Sequence, residues 1–170
     1  MLQKTFQLRA ARAISNVTIR DLGAYLGVSH NAMARWETYD GYDDIHTDEK
    51  KIEALNFFFQ QYNLSFPDSN TIELTVKNFK NVELNCLTSF QLRAARTSLK
   101  LDRIQLSKLL NIDYTIIPYL ERYKSFEEPI LGTPKDKLVD IKIFQDFFEK
   151  RGIRFPQPLI IQYFPHLALD

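Results

Sequence analysis

At 170 residues, 45% hydrophobic and 25% charged, the chain carries enough apolar content for a real core; wholesale disorder is excluded, and one domain or two small ones fit the length. No apolar run approaches the roughly 18 residues of a membrane span, no signal-peptide pattern opens the chain, and the single cysteine, Cys86, excludes an internal disulfide or a Cys-based metal cluster. The net charge of +1 conceals alternation: +3 over residues 1–37, −5 over 38–85, +4 over 86–124 and −1 over 125–170. Together these features predict a soluble, cytoplasmic protein with no membrane partner and no cofactor.

In chain order, Leu8, Ala11 and Arg12 begin a short amphipathic helix that Thr5 can cap. A second helix starts after Thr18. The Thr18-x-x-Asp21 spacing supplies an acceptor for orphan N–H groups and an acid at the positive end of the helix dipole. It stops near Leu26, because Gly27 tolerates a left-handed backbone. Ser29 is placed to cap a third helix. Asp48 to Tyr62 reads as a longer one, with Ile52, Leu55, Phe58, Phe59 and Tyr62 at helical spacing. Thr71-Ile-Glu-Leu-Thr-Val76 alternates and reads as a short strand.

Beyond a join at Lys77 to Leu87 the pattern repeats. Phe6-Gln-Leu-Arg-Ala-Ala-Arg12 recurs letter for letter as Phe90-Gln-Leu-Arg-Ala-Ala-Arg96, an offset of 84. At that offset Leu22 meets Leu106, Leu26 meets Leu110, and Glu37 meets Glu121; Met33 meets Ile117 and Trp36 meets Leu120. After a five-residue gain the offset is 89, matching Phe59 to Phe148 and Phe66-Pro67 to Phe155-Pro156. Stop and start chemistry is kept. Ser89 can cap the first helix of this copy, and Thr88 with Gln91 has capping-box spacing. Asp102-x-x-Gln105 opens the second helix, Asn111 stops it, and Asp113 stands where Ser29 stood. A longer helix is expected from Pro134 to Arg151, stopped by Gly152. Leu159-Ile-Ile-Gln-Tyr-Phe164 is a short strand bracketed by prolines, expected to pair with 71–76 across a pseudo-twofold.

Helix, Gly-containing turn, helix is the helix-turn-helix pattern. Leu8-Arg-Ala-Ala-Arg12 followed by Ile19-Arg-Asp-Leu-Gly-Ala-Tyr-Leu-Gly-Val-Ser-His-Asn-Ala-Met-Ala-Arg-Trp-Glu37 resembles the lambda-repressor-like, or XRE, family over about 60 residues of each half. Gly152-Ile-Arg-Phe155 resembles a phrase common in its members. Gly23 and Ser107 stand where members often have Ala, and Pro118 interrupts the third helix of copy two, so that copy is looser. The resemblance implies a mainly α protein: two tandem lambda-repressor-like helix-turn-helix domains at 1–76 and 88–170, joined by a linker at 77–87. Each would be followed by a short β-strand, and the two would form an intrachain pseudo-dimer.

It also implies a sequence-specific, double-stranded DNA-binding transcriptional regulator. His30, Asn31 and Arg35 map onto base-reading positions; Asn pairs bidentately with adenine and Arg with guanine. Met33 and Trp36 fall on the core side. Arg9, Thr18, Arg20 and Ser29 are the candidate phosphate contacts of copy one. Copy two offers Tyr114, Thr115 and Tyr119 to bases, and Arg93, Arg103 and Lys108 to phosphates. One Arg of each repeated pair can instead clamp Glu37 or Glu121; that alternative stays open for Arg12 and Arg96. His46 and His166 are expected at the surface without metal-ligand spacing.

Enzyme motifs are absent from the sequence: no Gly-rich phosphate loop, no His-Glu-x-x-His, no nucleophile elbow. The acidic stretch Asp40 to Glu49 lacks EF-hand spacing. Partners beyond duplex DNA would be RNA polymerase or another regulator, with the chain acting as a monomeric pseudo-dimer or a homodimer. The competing reading is a protein-interaction module or antagonist, in which one or both copies bind a protein instead of DNA.

Overall fold

The computed structural model describes residues 1–76, 87–122 and 139–168. They form α-helices and one four-stranded antiparallel sheet. Copy one contributes α1 (Thr5–Ser15), α2 (Ile19–Leu26), α3 (His30–Thr38), α4 (Glu49–Gln60), β1 (Leu64–Ser65) and β2 (Thr71–Leu74). Copy two contributes α5 (Ser89–Ser98), α6 (Arg103–Leu110), α7 (Ile116–Leu120), α8 (Lys142–Glu149), β3 (Ile153–Gln157), β4 (Ile160–Tyr163) and a closing 3-10 turn at Pro165–Leu167.

The local capping and stop signals act at the expected positions. The Thr18 hydroxyl accepts from the Asp21 amide at 3.1 Å, and Ser29 Oγ accepts from the Ala32 amide at 3.2 Å. Thr88 Oγ1 accepts from the Gln91 amide at 3.1 Å, and Asp102 from the Gln105 amide at 2.7 Å. Asp48 caps α4 through the Lys51 amide. Gly27 and Asn111 both take left-handed backbone, at φ 66° and 52°, and end α2 and α6. Gly23 lets α2 sit against the turn: a Cβ there would come 3.0 Å from the Val28 carbonyl oxygen.

Three expectations about helix ends change. Thr5 and Ser89 are first helical residues and not caps; their hydroxyls donate to the carbonyls of Asp43 and Leu120. Asp113 does not cap a helix directly, because its carboxylate turns back to the Thr115 amide at 2.8 Å and α7 begins only at Ile116. Pro118, which has no N–H to donate, therefore falls in the first turn of a short helix, where its missing donor is least costly. The Pro134 start of the last predicted helix and most of the join, 77–86 with Cys86, lie outside the described residues.

The sheet has the order β1-β2-β4-β3. Its centre joins the copies: Thr71 pairs with Gln162, Ile72 with Ile161 and Glu73 with Ile160, so the two predicted runs do pair. β1 and β3, which the sequence did not announce, add an outer strand to each side. β3 contains Phe155-Pro156, and its register shifts between Arg154 and Gln157; the irregularity accommodates a residue that cannot donate to a ladder.

Two cores result. One gathers Phe6, Leu8, Leu22, Met33, Trp36, Leu55, Phe59 and Ile72, and takes in Phe90, Ala94 and Ile161 of copy two. The other gathers Leu92, Leu106, Ile117, Leu120, Phe144 and Phe148. Full burial of each such side chain contributes about 1.5–3 kcal/mol. Helix α1 packs on α5, with Phe90 and Ala94 in the same core cluster as Phe6 and Ala10, all fully buried, and Phe6 meets the Tyr163 ring edge-on at 5.2 Å.

Candidate nucleic-acid interface

The exposed face of α3 is set by helical geometry. Met33 and Trp36 point inward, at 0% and 8% exposure. Asn31 and Arg35 lie on the other side of the cylinder, and His30 is the first residue of the helix; all three are exposed. Arg20 stands exposed at the start of α2, and a shallow depression lined by Arg12, Asn16, Thr18, Arg20, Asp21 and His30 brings the α2 N-terminus beside the tip of α3. Ser29 is exposed there as well; its oxygen accepts from Ala32, which leaves its O–H free to donate. Thr18 is less available than predicted. Its hydroxyl hydrogen is committed to Asp21 Oδ2 at 2.6 Å, and this bond is the main reason the Asp21 carboxyl lies below its ordinary pKa.

Arg9, a candidate phosphate contact, is buried. The residue is 6% exposed, and its guanidinium donates to four carbonyls: Glu37 at 3.0 Å, Tyr39 at 3.1 Å, Thr97 at 3.2 Å and Ser98 at 2.8 Å. Burial pushes its pKa down, partly offset by Glu37, yet an arginine stays charged. Arg93 is also withdrawn from the surface. It donates to the Ala13 carbonyl at 3.3 Å and lies 3.8 Å from Glu121; desolvation lowers its pKa as well. These contacts are reciprocal. Arg9 reaches the last turn of α5 through Thr97, and Arg93 reaches the last turn of α1 through Ala13, the residue 84 positions before Thr97.

The second arginine of each pair clamps its own copy. Arg12 grips Glu37 at 2.5 and 2.7 Å; that hydrogen bond is the largest cause raising its pKa. Arg96 grips Glu121 at 2.6 and 3.0 Å, and Arg103 adds a contact at 2.7 Å. Glu121 is wholly enclosed, whereas the Arg103 side chain is 43% exposed. Arg103, predicted to grip phosphate, is thus drawn towards a buried carboxylate. The repeated glutamine is structural too. Gln7 Nε2 donates to Asp68 and Thr71 carbonyls, and Gln91 Nε2 to those of Gln157 and Ile160, the same positions at the offset of 89.

The matching face of copy two has a different character. Tyr114 is 67% exposed and Tyr119 42%, in the positions of His30 and Arg35. Thr115, in the position of Asn31, is half-buried, and its hydroxyl donates to Asp113. Lys108 is exposed. The position of Arg20 is held by Ile104, 56% exposed, as the constant offset of 84 specifies. His46 and His166 are exposed as expected, and no group of potential metal ligands occurs among the described residues. No helix among them is long and apolar enough to cross a membrane.

Comparison of the chain with known protein families, with curated proteins and with solved structures yields no match.

Proposed function

We propose that residues 1–76 and 88–170 are two helix-turn-helix units arranged as an intrachain pseudo-dimer, and that the first is the reading head of a sequence-specific DNA-binding regulator. One observation carries the reading: α3 presents His30, Asn31 and Arg35 together and exposed, with Met33 and Trp36 buried behind them. A helix so presented fits a major groove, where Asn and Arg discriminate bases by about 1–3 kcal/mol per good bidentate pair. Arg20 and the Ser29 hydroxyl flank it as phosphate contacts. The reciprocal Arg9 and Arg93 contacts and the β2–β4 pairing support the pseudo-dimer, since each copy braces the other in the same way.

Copy two supports this function as a scaffold and not as a second reader, because the positions of Arg20, His30 and Arg35 hold Ile104, Tyr114 and Tyr119. The bound site is then a single asymmetric half-site. The test is selection from a random duplex pool, followed by fluorescence anisotropy at several salt concentrations. Log affinity should fall linearly with log salt, by about 0.9 per phosphate neutralised. A chain that enriches no sequence and shows no salt dependence has another function.

A further inference from the structure

Tyr25, Phe58 and Tyr62 form a connected aromatic cluster on copy one. The Tyr25 and Phe58 ring centroids are 4.7 Å apart, and those of Phe58 and Tyr62 5.5 Å. Phe58 is half-buried, whereas Tyr25 and Tyr62 are 45% and 39% exposed. Among the described residues no cation stands over these rings. Copy two treats the same frame differently. Phe58 meets Phe59 edge-on at 5.4 Å, and Phe59 meets Phe66 at 6.2 Å; 89 positions later Phe147, Phe148 and Phe155 repeat the two contacts at 5.3 and 6.2 Å. At that offset Tyr62 becomes Arg151. Its guanidinium carbon lies 3.6 Å from the centre of the Phe147 ring, and Phe147 is only 8% exposed. Arg151 also donates to the Phe147 carbonyl at 3.0 Å, at the C-terminal end of α8, where helix carbonyls favour a cation. Copy two thus carries its own arginine on the ring, and copy one has a tyrosine and open ring surface there.

We infer that the Tyr25–Phe58–Tyr62 cluster docks an arginine side chain of a partner protein. A guanidinium stacks on aromatic faces and is attracted by their negative potential, as Arg151 is on Phe147. Tyr25 lies in the last turn of α2 and Tyr62 just past the end of α4, so both helix dipoles place their negative ends at the cluster. From Leu22 to Ser29 and from Ala54 to Pro67 the chain has no charged side chain, so rings and helix ends set the local field. Arg20 and Asp21, adjacent at the start of α2, offset one another; Lys51 is paired with Asp48, and Lys50 lies two turns before Phe58. Phe57, next along α4, is 61% exposed where copy two has Asp146 paired with Lys142. A lone small cation would leave that apolar surface in water; an arginine beside apolar residues of a protein segment covers both. A second copy meeting this face through a twofold would set the cluster on its own image and bring no cation. The inference is independent of DNA binding, whose base-reading side chains lie on α3.

The test uses the full chain and short fluorescein-labelled peptides in which leucines flank a single arginine, lysine or citrulline. Citrulline keeps the shape of arginine without its charge. The arginine peptide should bind saturably and the citrulline peptide about three- to tenfold more weakly, with lysine between them. Tyr25→Leu installs the residue that copy two has at Leu109, and should weaken the arginine peptide by about threefold or more without a change of charge. Tyr62→Arg rebuilds the stack of Arg151 on Phe147 within copy one. It should abolish the preference for arginine over citrulline while thermal stability is kept, a combination that loss of folding cannot produce. Asn31→Ala should leave the preference intact. Absence of saturable binding, equal affinity for the arginine and citrulline peptides, indifference to Tyr25→Leu, or a preference that survives Tyr62→Arg would overturn the proposal. So would a chain dimer in sedimentation that Tyr62→Arg dissolves, since a second copy would then cover the cluster.

Discussion

The α2–α3 face of copy one and the α6–α7 face of copy two stand on the same scaffold, yet they present opposite chemistry. Caps, stops and buried clamps match almost position for position, while Arg20, His30 and Arg35 of one face are Ile104, Tyr114 and Tyr119 of the other. The difference separates what the fold demands from what a surface is free to change. Every side chain of the repeated heptapeptide has a structural role. Phe, Leu and the alanines fill cores, and Gln ties the helix to its strand pair. The two arginines brace the other copy and clamp the home glutamate. Identity between the copies therefore marks architecture, and the divergence falls on exposed faces.

The buried clamps give the largest effects and sharpen the contrast within the fold. Glu121→Ala strands Arg96 and Arg93 without their carboxylate and should cost about 3–5 kcal/mol in urea unfolding. Glu37→Ala leaves Arg12, whose side chain is 25% exposed, access to water, and should cost less, about 1.5–3 kcal/mol. Equal losses would mean that the two clamps are not graded by burial. Next, Arg9→Ala removes the donor for four carbonyls and should destabilise by about 2–3 kcal/mol while leaving the DNA affinity of the folded protein unchanged. Arg20→Ala should do the reverse: stability within about 0.5 kcal/mol, and a salt dependence shallower by about one. A shift in DNA affinity from Arg9→Ala alone would break the division between bracing and reading arginines.

The smallest effect is a titration. The folded Asp21 carboxyl lies below its ordinary pKa, chiefly through the Thr18 hydroxyl. A depressed carboxyl stabilises the fold above its unfolded pKa, and that contribution is lost as pH falls through the folded value. NMR titration should therefore show Asp21 ionising at lower pH than a free aspartate, and Thr18→Val should return it towards the ordinary range. Gln105, at the matching position of α6, has no such transition.

The elements legible in the sequence are those governed by local chemistry. Thr18, Ser29, Asp48, Thr88, Asp102, Gly27 and Asn111 act within a turn of their own position, so spacing alone locates them. Alternating runs at 71–76 and 159–164 announce strands that pair. What spacing cannot supply is tertiary: Arg9 and Arg93 look like solvated helix cations, and only the packing of α1 on α5 brings carbonyls of the other copy to them. β3 escapes because Pro156 within it suppresses the alternating signal. The exposed face of α3 is legible because Met33 and Trp36 fix which side of the helix is buried.

The most direct test of the central claim compares base preference between the faces. On duplexes selected by the wild type, Asn31→Ala and Arg35→Ala should each relax preference at one base position by about 1–3 kcal/mol. Thr115→Ala and Tyr119→Ala should leave the preference unchanged. Loss of preference from the α7 changes, with the α3 changes silent, would contradict the assignment of copy one as the reader.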